Sequence, residues 1–267
     1  MKKKIGFVGA GKMAQAMMQG MVRSETIPKE NIMASARTEG TTKLIEQKYE
    51  IGTSLNNRDV AMFADILILA VKPDLYTAII KEIKDDIKQS AIIITIAAGV
   101  TLKDIEDSFG FQVKAVRTMP NTPSVVGEGM SVICANDYLT EDEIAQVELL
   151  FQTFSKTERL EENLMDAVPA ISGSSPAYVY MLIEAMADGG VRQGIPRGQS
   201  YRLAAQAVLG AAKMVLETGK HPGELKDNVC TPGGATIEAV ITLEEKNFRG
   251  SIMAAMDSCT TKVKNLI

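Results

Sequence analysis

The chain has no tryptophan, one histidine (His221) and three cysteines among 267 residues. A single histidine excludes a zinc site built on several imidazoles, and any histidine-based nucleophile triad would have to use that residue. Cys134, Cys230 and Cys259 are odd in number, widely spaced and without a CxxC. They read as reduced thiols in a cytoplasm, not as a disulfide framework. Long apolar runs are also missing: the longest, 91–100, is about half of what a membrane span needs. The basic start Lys2-Lys3-Lys4 leads into an apolar stretch that stops at Lys12 without a small-residue cleavage site. No signal peptide is read, and the expected location is cytoplasmic. A basic excess is absent as well. Lys and Arg number 29 against 33 Asp and Glu, a net charge of −4. Residues 165–267 hold ten of each sign, so the acidic excess lies in the first 164. Neither part offers the positive field of a nucleic-acid partner.

What remains is ordinary for a soluble globular protein: 46% hydrophobic, 23% charged, and long enough to bury a core without staples. Short β-branched runs at 4–8, 31–35, 66–71, 92–96 and 113–117 alternate with helical patterns at 12–23, 42–48 and 75–83. Near-continuous apolar strands in a βαβα order predict a mostly parallel, doubly wound sheet covered on both faces. Edge strands are expected at 131–135 and 157–160, with a helix at 141–151 between them. Near 160–166 the β-branched runs stop and segments rich in Ala, Met, Leu and Gly take over. The expected division is an α/β Rossmann-type domain over 1–163 and an all-α domain over 164–267, with helices at 176–193, 196–218, 235–245 and 249–265. The core of the second of these helices, 203–212, is apolar almost all round. Such a helix must be buried on most sides, which a helical domain of this size hardly achieves alone. It is expected to pack across a subunit interface in an obligate oligomer; the alternative is a central helix within one subunit.

The first strand is followed by Gly9-Ala10-Gly11-Lys12-Met13-Ala14, a G-x-G-x-x-A turn that opens a helix. Gly9 suits the tight turn, Gly11 admits a pyrophosphate near the backbone, and Ala14 allows close helix–strand packing. In a strand–turn–helix context this pattern indicates a dinucleotide. The second strand ends Ala34-Ser35-Ala36-Arg37-Thr38, without the acid that usually grips an NAD ribose. Arg37 can pair with a 2′-phosphate, and the Ser35 and Thr38 hydroxyls can donate to it. NADPH is therefore the expected cofactor; the alternative is a solvated Arg37 and an enzyme that accepts NADH as well. Ala70-Val71-Lys72-Pro73 and Ala97-Ala98-Gly99 end later strands, where ligands of such sheets bind. Both are candidate linings for the nicotinamide half, and Asn56 is a further candidate cofactor contact. Lys72 reads either as a phosphate or ribose contact or as a general acid. No metal site is expected.

Two motifs in the helical part resemble each other: Ser172-Gly173-Ser174-Ser175-Pro176 and Cys230-Thr231-Pro232-Gly233-Gly234-Ala235-Thr236. Each puts hydroxyls, Gly and Pro before a helix, which caps it and can also seat an anion such as a carboxylate. The run from Leu225 to Ala239 (LKDNVCTPGGATIEA) resembles the signature of the pyrroline-5-carboxylate reductases. The likeness extends along the chain through the glycine turn, Val71-Lys72-Pro73, the run Arg117-Thr118-Met119-Pro120-Asn121-Thr122-Pro123, and Ser172-Gly173-Ser174 with Pro176-Ala177-Tyr178. Lys12 departs from it, because the family often has Asn there.

The resemblance implies reduction of the cyclic imine 1-pyrroline-5-carboxylate to L-proline by NADPH, the last step of proline biosynthesis. It further implies a Rossmann domain, a helical dimerisation domain, and dimers that can assemble into decamers. It assigns substrate binding to Gly233, Gly234, Ala235 and Thr236, and puts Asn228 near the nicotinamide. Backbone N–H groups of Gly234, Ala235 and Thr236 would then hold the substrate carboxylate, and the catalytic Thr236 hydroxyl would meet the ring nitrogen. His221 and Cys230 are given structural roles. Two rivals are weighed: a β-hydroxyacid dehydrogenase using Lys213 or Lys226 as the proton-moving lysine, and an NADP-sensing regulatory protein.

Overall fold

The computed structural model describes residues 2–265. Strands β1 (Ile5–Val8), β4 (Ile66–Leu69) and β5 (Ile92–Thr95) are buried along their whole length. A strand covered on both faces has no polar side to show, which is why these segments read as unbroken apolar runs. The period of two is still present in space. Ile66 and Ile68 enter one core with Phe7, Met17 and Ile32, while Leu67 and Leu69 enter the other with Val8, Ile80 and Ile93. Each fully buried aliphatic side chain of this kind contributes about 1.5–3 kcal/mol.

The remaining strands are β2 (Ile32–Ser35), β3 (Gly52–Ser54), β6 (Lys114–Met119), β7 (Gly129–Ala135) and β8 (Ser155–Arg159). They form one sheet in the order β3-β2-β1-β4-β5-β6-β7-β8. Every neighbouring pair is parallel except β6 with β7. Helices α1 (Lys12–Arg23), α2 (Glu39–Tyr49), α3 (Asn57–Phe63), α4 (Tyr76–Ile83), α5 (Leu102–Phe109) and α6 (Glu141–Phe151) connect them. This is the expected doubly wound sheet, with the expected edge strands present as β7 and β8. Strand β3 has no counterpart among the expected strands, since three half-buried residues carry no measurable period. Because β1 lies between β2 and β4, the winding reverses there, and the carboxyl ends of β1 and β4 open a crevice.

By packing, the chain divides into two compact units, Ser175–Ser258 and all the rest. This break comes later than the composition change at 163/164. The intervening segment belongs to the sheet, because Met165 and Val168 bury in its second core. The second unit holds α7 (Ser175–Arg192), α8 (Arg197–Thr218), α9 (Pro222–Val229), α10 (Ala235–Glu245) and most of α11 (Phe248–Lys264). Helices α7 and α8 approach so closely that a Cβ on Gly190 would lie 2.8 Å from Ser200 Oγ. Away from that contact α8 is bare: Leu203, Leu209 and Leu216 are 60%, 55% and 83% exposed. It is thus not a central helix of its own unit. No helix among the described residues is long and apolar enough to cross a membrane.

Candidate active site

At the crevice, Gly9 takes φ +99°, and a Cβ there would lie 2.6 Å from the Ala70 carbonyl oxygen. Only glycine lets β1 turn this tightly against the end of β4. Gly11 is different. Its φ is −69° and ψ 179°, an extended conformation open to any residue, and a Cβ on it would meet nothing of the chain within 4 Å. The missing side chain therefore makes room for something other than the protein. Gly11 caps α1 without a side-chain bond, so the first N–H groups of that helix, at Lys12, Met13 and Ala14, are unsatisfied donors. An anion is the natural occupant.

The cleft beside this turn has a volume of about 440 Å³. Of the expected cofactor contacts it is lined by Gly9, Ala10, Gly11, Ser35, Arg37, Ala70, Val71 and Lys72, with Thr38 beside them. Arg37 and Lys72 are exposed, and among the described residues neither side chain has a hydrogen bond or ion pair. Two cations thus face a site that the chain leaves without counter-charge, and the donor set fits a phosphorylated dinucleotide. Lys12, Met13, Ala14, Pro73, Ala97, Ala98 and Gly99 do not line this cleft. Ala14 is buried in the first core. Ala97, Ala98 and Gly99 come after β5, next to the carboxyl end of β4.

Two buried hydroxyls join those strand ends. Tyr76 Oη donates to the Leu69 carbonyl at 2.6 Å and lies 2.7 Å from Thr95 Oγ1, which accepts the Ala97 N–H at 3.2 Å. Burial pushes the Tyr76 phenol well above its ordinary value, so it stays a neutral donor.

Two sequence expectations change here. Ser35 is buried, and its hydroxyl donates to Asn57 Oδ1 at 2.7 Å. With its one proton used, it cannot donate to a phosphate. Asn56, the expected contact, is exposed and does not line the cleft. Its Oδ1 accepts the Arg58 N–H at 3.0 Å and caps α3. The next residue, Asn57, lines the cleft together with Thr41, Leu55, Leu75 and Ile79. No signal in the sequence separates the two asparagines, because the cap decides which of them turns outward.

In the second unit, α10 begins at the Gly-Gly-Ala-Thr run. Gly233 has φ +68°, and Gly234 caps the helix with no side-chain bond. The Gly234 N–H donates to the Thr231 carbonyl at 3.0 Å. It is therefore not free for a carboxylate, contrary to the expectation. The free donors of the first turn are Ala235, Thr236 and, in addition, Ile237. The Thr236 hydroxyl is half-buried and has no hydrogen-bond partner among the described residues. Asn228 stands exposed on α9, a helix absent from the sequence expectations. His221 is its cap: Nδ1 accepts the Gly223 N–H at 3.0 Å. Cys230 is half-buried at the end of α9.

The run 117–123 anchors the end of β6 to residues much later in the chain. Arg117 is 4% exposed and pairs with Asp166 at 2.5 Å and Glu162 at 3.7 Å. Asn121 donates to the Ser172 carbonyl and accepts the Met130 N–H. Burial, with Glu162 nearby, pushes the Cys134 thiol up and favours its neutral form.

Comparison with known proteins bears on both units. Residues 162–266 match the family described as "Pyrroline-5-carboxylate reductase dimerisation", and residues 4–99 match "NADP oxidoreductase coenzyme F420-dependent". A pyrroline-5-carboxylate reductase of Escherichia coli is 43% identical over 266 residues, covering 100% of this chain and 99% of the relative. The crystal structure of a Plasmodium falciparum pyrroline carboxylate reductase with NADP bound superposes with TM-score 0.90 at 32% identity, covering 98% of this chain and 97% of that one. The solved structure of a Coxiella burnetii pyrroline-5-carboxylate reductase gives 0.92 at 30% identity, covering 100% of this chain and 99% of that one.

Proposed function

The chain belongs to the pyrroline-5-carboxylate reductase family, and from that premise we propose how its residues divide the work. It is an oxidoreductase that reduces 1-pyrroline-5-carboxylate to L-proline with NAD(P)H, closing proline biosynthesis. The observation that carries this conclusion is the full-length likeness to the reductases; the local geometry agrees with it.

The glycine turn and the start of α1 hold the dinucleotide pyrophosphate, and Arg37 holds a 2′-phosphate, which favours NADPH. Lys72 is assigned a phosphate or ribose contact, supported by its exposed, unpaired ammonium at the cleft wall. Ala97, Ala98, Gly99 and Asn228 are assigned to the nicotinamide end. The bound cofactor supplies the hydride that the imine carbon accepts. The N–H groups of Ala235, Thr236 and Ile237 hold the substrate carboxylate at the positive end of α10, fixing the ring before reaction. Gly233 shapes the turn that presents them. The Thr236 hydroxyl hydrogen-bonds the ring nitrogen as it becomes an amine. An iminium arrives already protonated, so the chain needs no imidazole for the step.

The chain is a homo-oligomer through its dimerisation region. The bare apolar side of α8 supports helix-to-helix pairing between subunits, and a decamer built from five such dimers is the larger assembly proposed. The family match that begins at 162 supports a dinucleotide domain over 1–163 and a substrate and dimerisation domain over 164–267, while by packing the segment up to Ser174 stays with the sheet. A cytoplasmic location and the absence of a nucleic-acid partner rest on the composition.

The test is nicotinamide absorbance with 1-pyrroline-5-carboxylate, run beside NADH and beside 3-hydroxyisobutyrate with NADP⁺. Rapid imine-dependent oxidation of NADPH is expected. Turnover of the hydroxy acid alone would move the chemistry to a lysine, and silence with both would leave a cofactor sensor.

A further inference from the structure

One charged group behind the cleft has no part in hydride transfer or substrate binding. Glu82 is half-buried on α4, and its Oε2 accepts from Asn57 Nδ2 at 3.0 Å. Asn57 Oδ1 in turn accepts from Ser35 Oγ at 2.7 Å, and Ser35 Oγ accepts the Gly9 N–H at 3.4 Å. A chain of hydrogen bonds thus runs from α4 through α3 and the end of β2 to the glycine turn.

Glu82 sets the direction of that chain. An ionised carboxylate only accepts, whereas an asparagine amide donates from one end and accepts at the other. With Glu82 in place, the Asn57 nitrogen must face α4 and its oxygen must face Ser35. The Ser35 proton is then drawn to Asn57, not to the Phe7 carbonyl 3.4 Å away. Two groups lining the cleft acquire a defined polarity: Asn57 keeps one unused N–H donor, and Ser35 offers lone pairs only. Without Glu82 the amide can turn over, and both polarities reverse. We infer that Glu82 is a positioning residue, which acts through Asn57 and Ser35 to fix the hydrogen-bonding polarity of the cleft wall toward the dinucleotide ribose. This rests on the reading of the cleft as a dinucleotide site.

The test is a fluorescence titration of NADPH into the free protein, with steady-state kinetics on the same variants. Glu82→Ala is expected to weaken NADPH binding about 3–10-fold, the worth of one oriented hydrogen bond. KM for NADPH should rise in parallel, while kcat at saturating cofactor and the melting temperature stay as in the wild type. Glu82→Gln can donate as well as accept, so it leaves the Asn57 amide free to take either orientation and is expected to bind between wild type and Glu82→Ala. Adding Glu82→Ala to Asn57→Ala is expected to cause no further loss, because Glu82 acts only through that amide. Wild-type binding by Glu82→Ala, or a full additive loss in the double variant, would overturn the inference while leaving the cleft intact. Failure of the wild type itself to bind NADPH would remove the cleft reading and this inference with it.

Discussion

The two glycines of the turn should fail in opposite ways when replaced by alanine. At Gly11 the backbone is extended and nothing of the chain lies within 4 Å of the new Cβ. Fewer unfolded conformations favour Gly11→Ala by about 0.4–1 kcal/mol. Loss of a tolerated cap residue opposes it by about 0.5–1 kcal/mol. The net change in stability is therefore within about 1 kcal/mol of zero, or roughly 2–4 °C in melting temperature at most. The methyl group nevertheless fills the space left for the pyrophosphate. Displacing that contact should cost about 1.4 kcal/mol or more, a tenfold or greater rise in the Kd for NADPH. At Gly9 the same methyl group would sit 2.6 Å from a backbone oxygen, at φ +99°. Strain at such a position is about 1–3 kcal/mol before the clash is counted. Gly9→Ala should therefore unfold at a visibly lower temperature or fail to accumulate. The assay is a thermal melt without ligand, followed by an NADPH titration. If Gly11→Ala bound NADPH like the wild type while folding normally, the pyrophosphate would not lie against Gly11. If Gly9→Ala melted normally, the close approach of β1 to Ala70 would be wrong.

Three further outcomes are expected. Arg37→Ala should raise KM for NADPH far more than KM for NADH, and equal effects would contradict a 2′-phosphate contact. Thr236→Ala should lower kcat on the order of 10–1000-fold, more than it raises KM for the imine, by analogy with other transition-state donors; an unchanged kcat in a folded variant would refute that role. Glu143 is held below its ordinary carboxyl value of 4.5: burial alone would raise it, but the bonds from Lys114 and the Thr140 N–H outweigh burial. A depressed carboxyl stabilises fully above its unfolded value and loses that stabilisation as pH falls through the folded one. Glu143→Gln keeps the Thr140 cap bond but loses the charge, so it should melt lower at neutral pH and match the wild type in acid; an equal deficit at both pH values would show that the loss is steric.

The glycine turn, the parallel strands and the change to helices at 160–166 were legible in the sequence, because each is written in neighbouring residues. A strand covered on both faces is a run of β-branched residues, and a strand–turn–helix with Gly9, Gly11 and Ala14 needs no distant partner to be read. The Gly-Gly-Ala-Thr run was likewise visible as a glycine-lined helix start. What stayed hidden depends on groups far apart in the chain or on a single hydrogen bond. Gly9 needs to be glycine partly because β1 pairs with β4, which brings Ala70 beside it. Asn57 rather than Asn56 faces the cleft because Asn56 is spent on capping α3. Ser35 looked like a donor until Asn57 took its proton, and Gly234 looked free until its N–H was found on Thr231. The residue types were readable from the chain by itself. Which polar atom remains unpaired depends on every partner within reach, and only the tertiary structure brings those partners together.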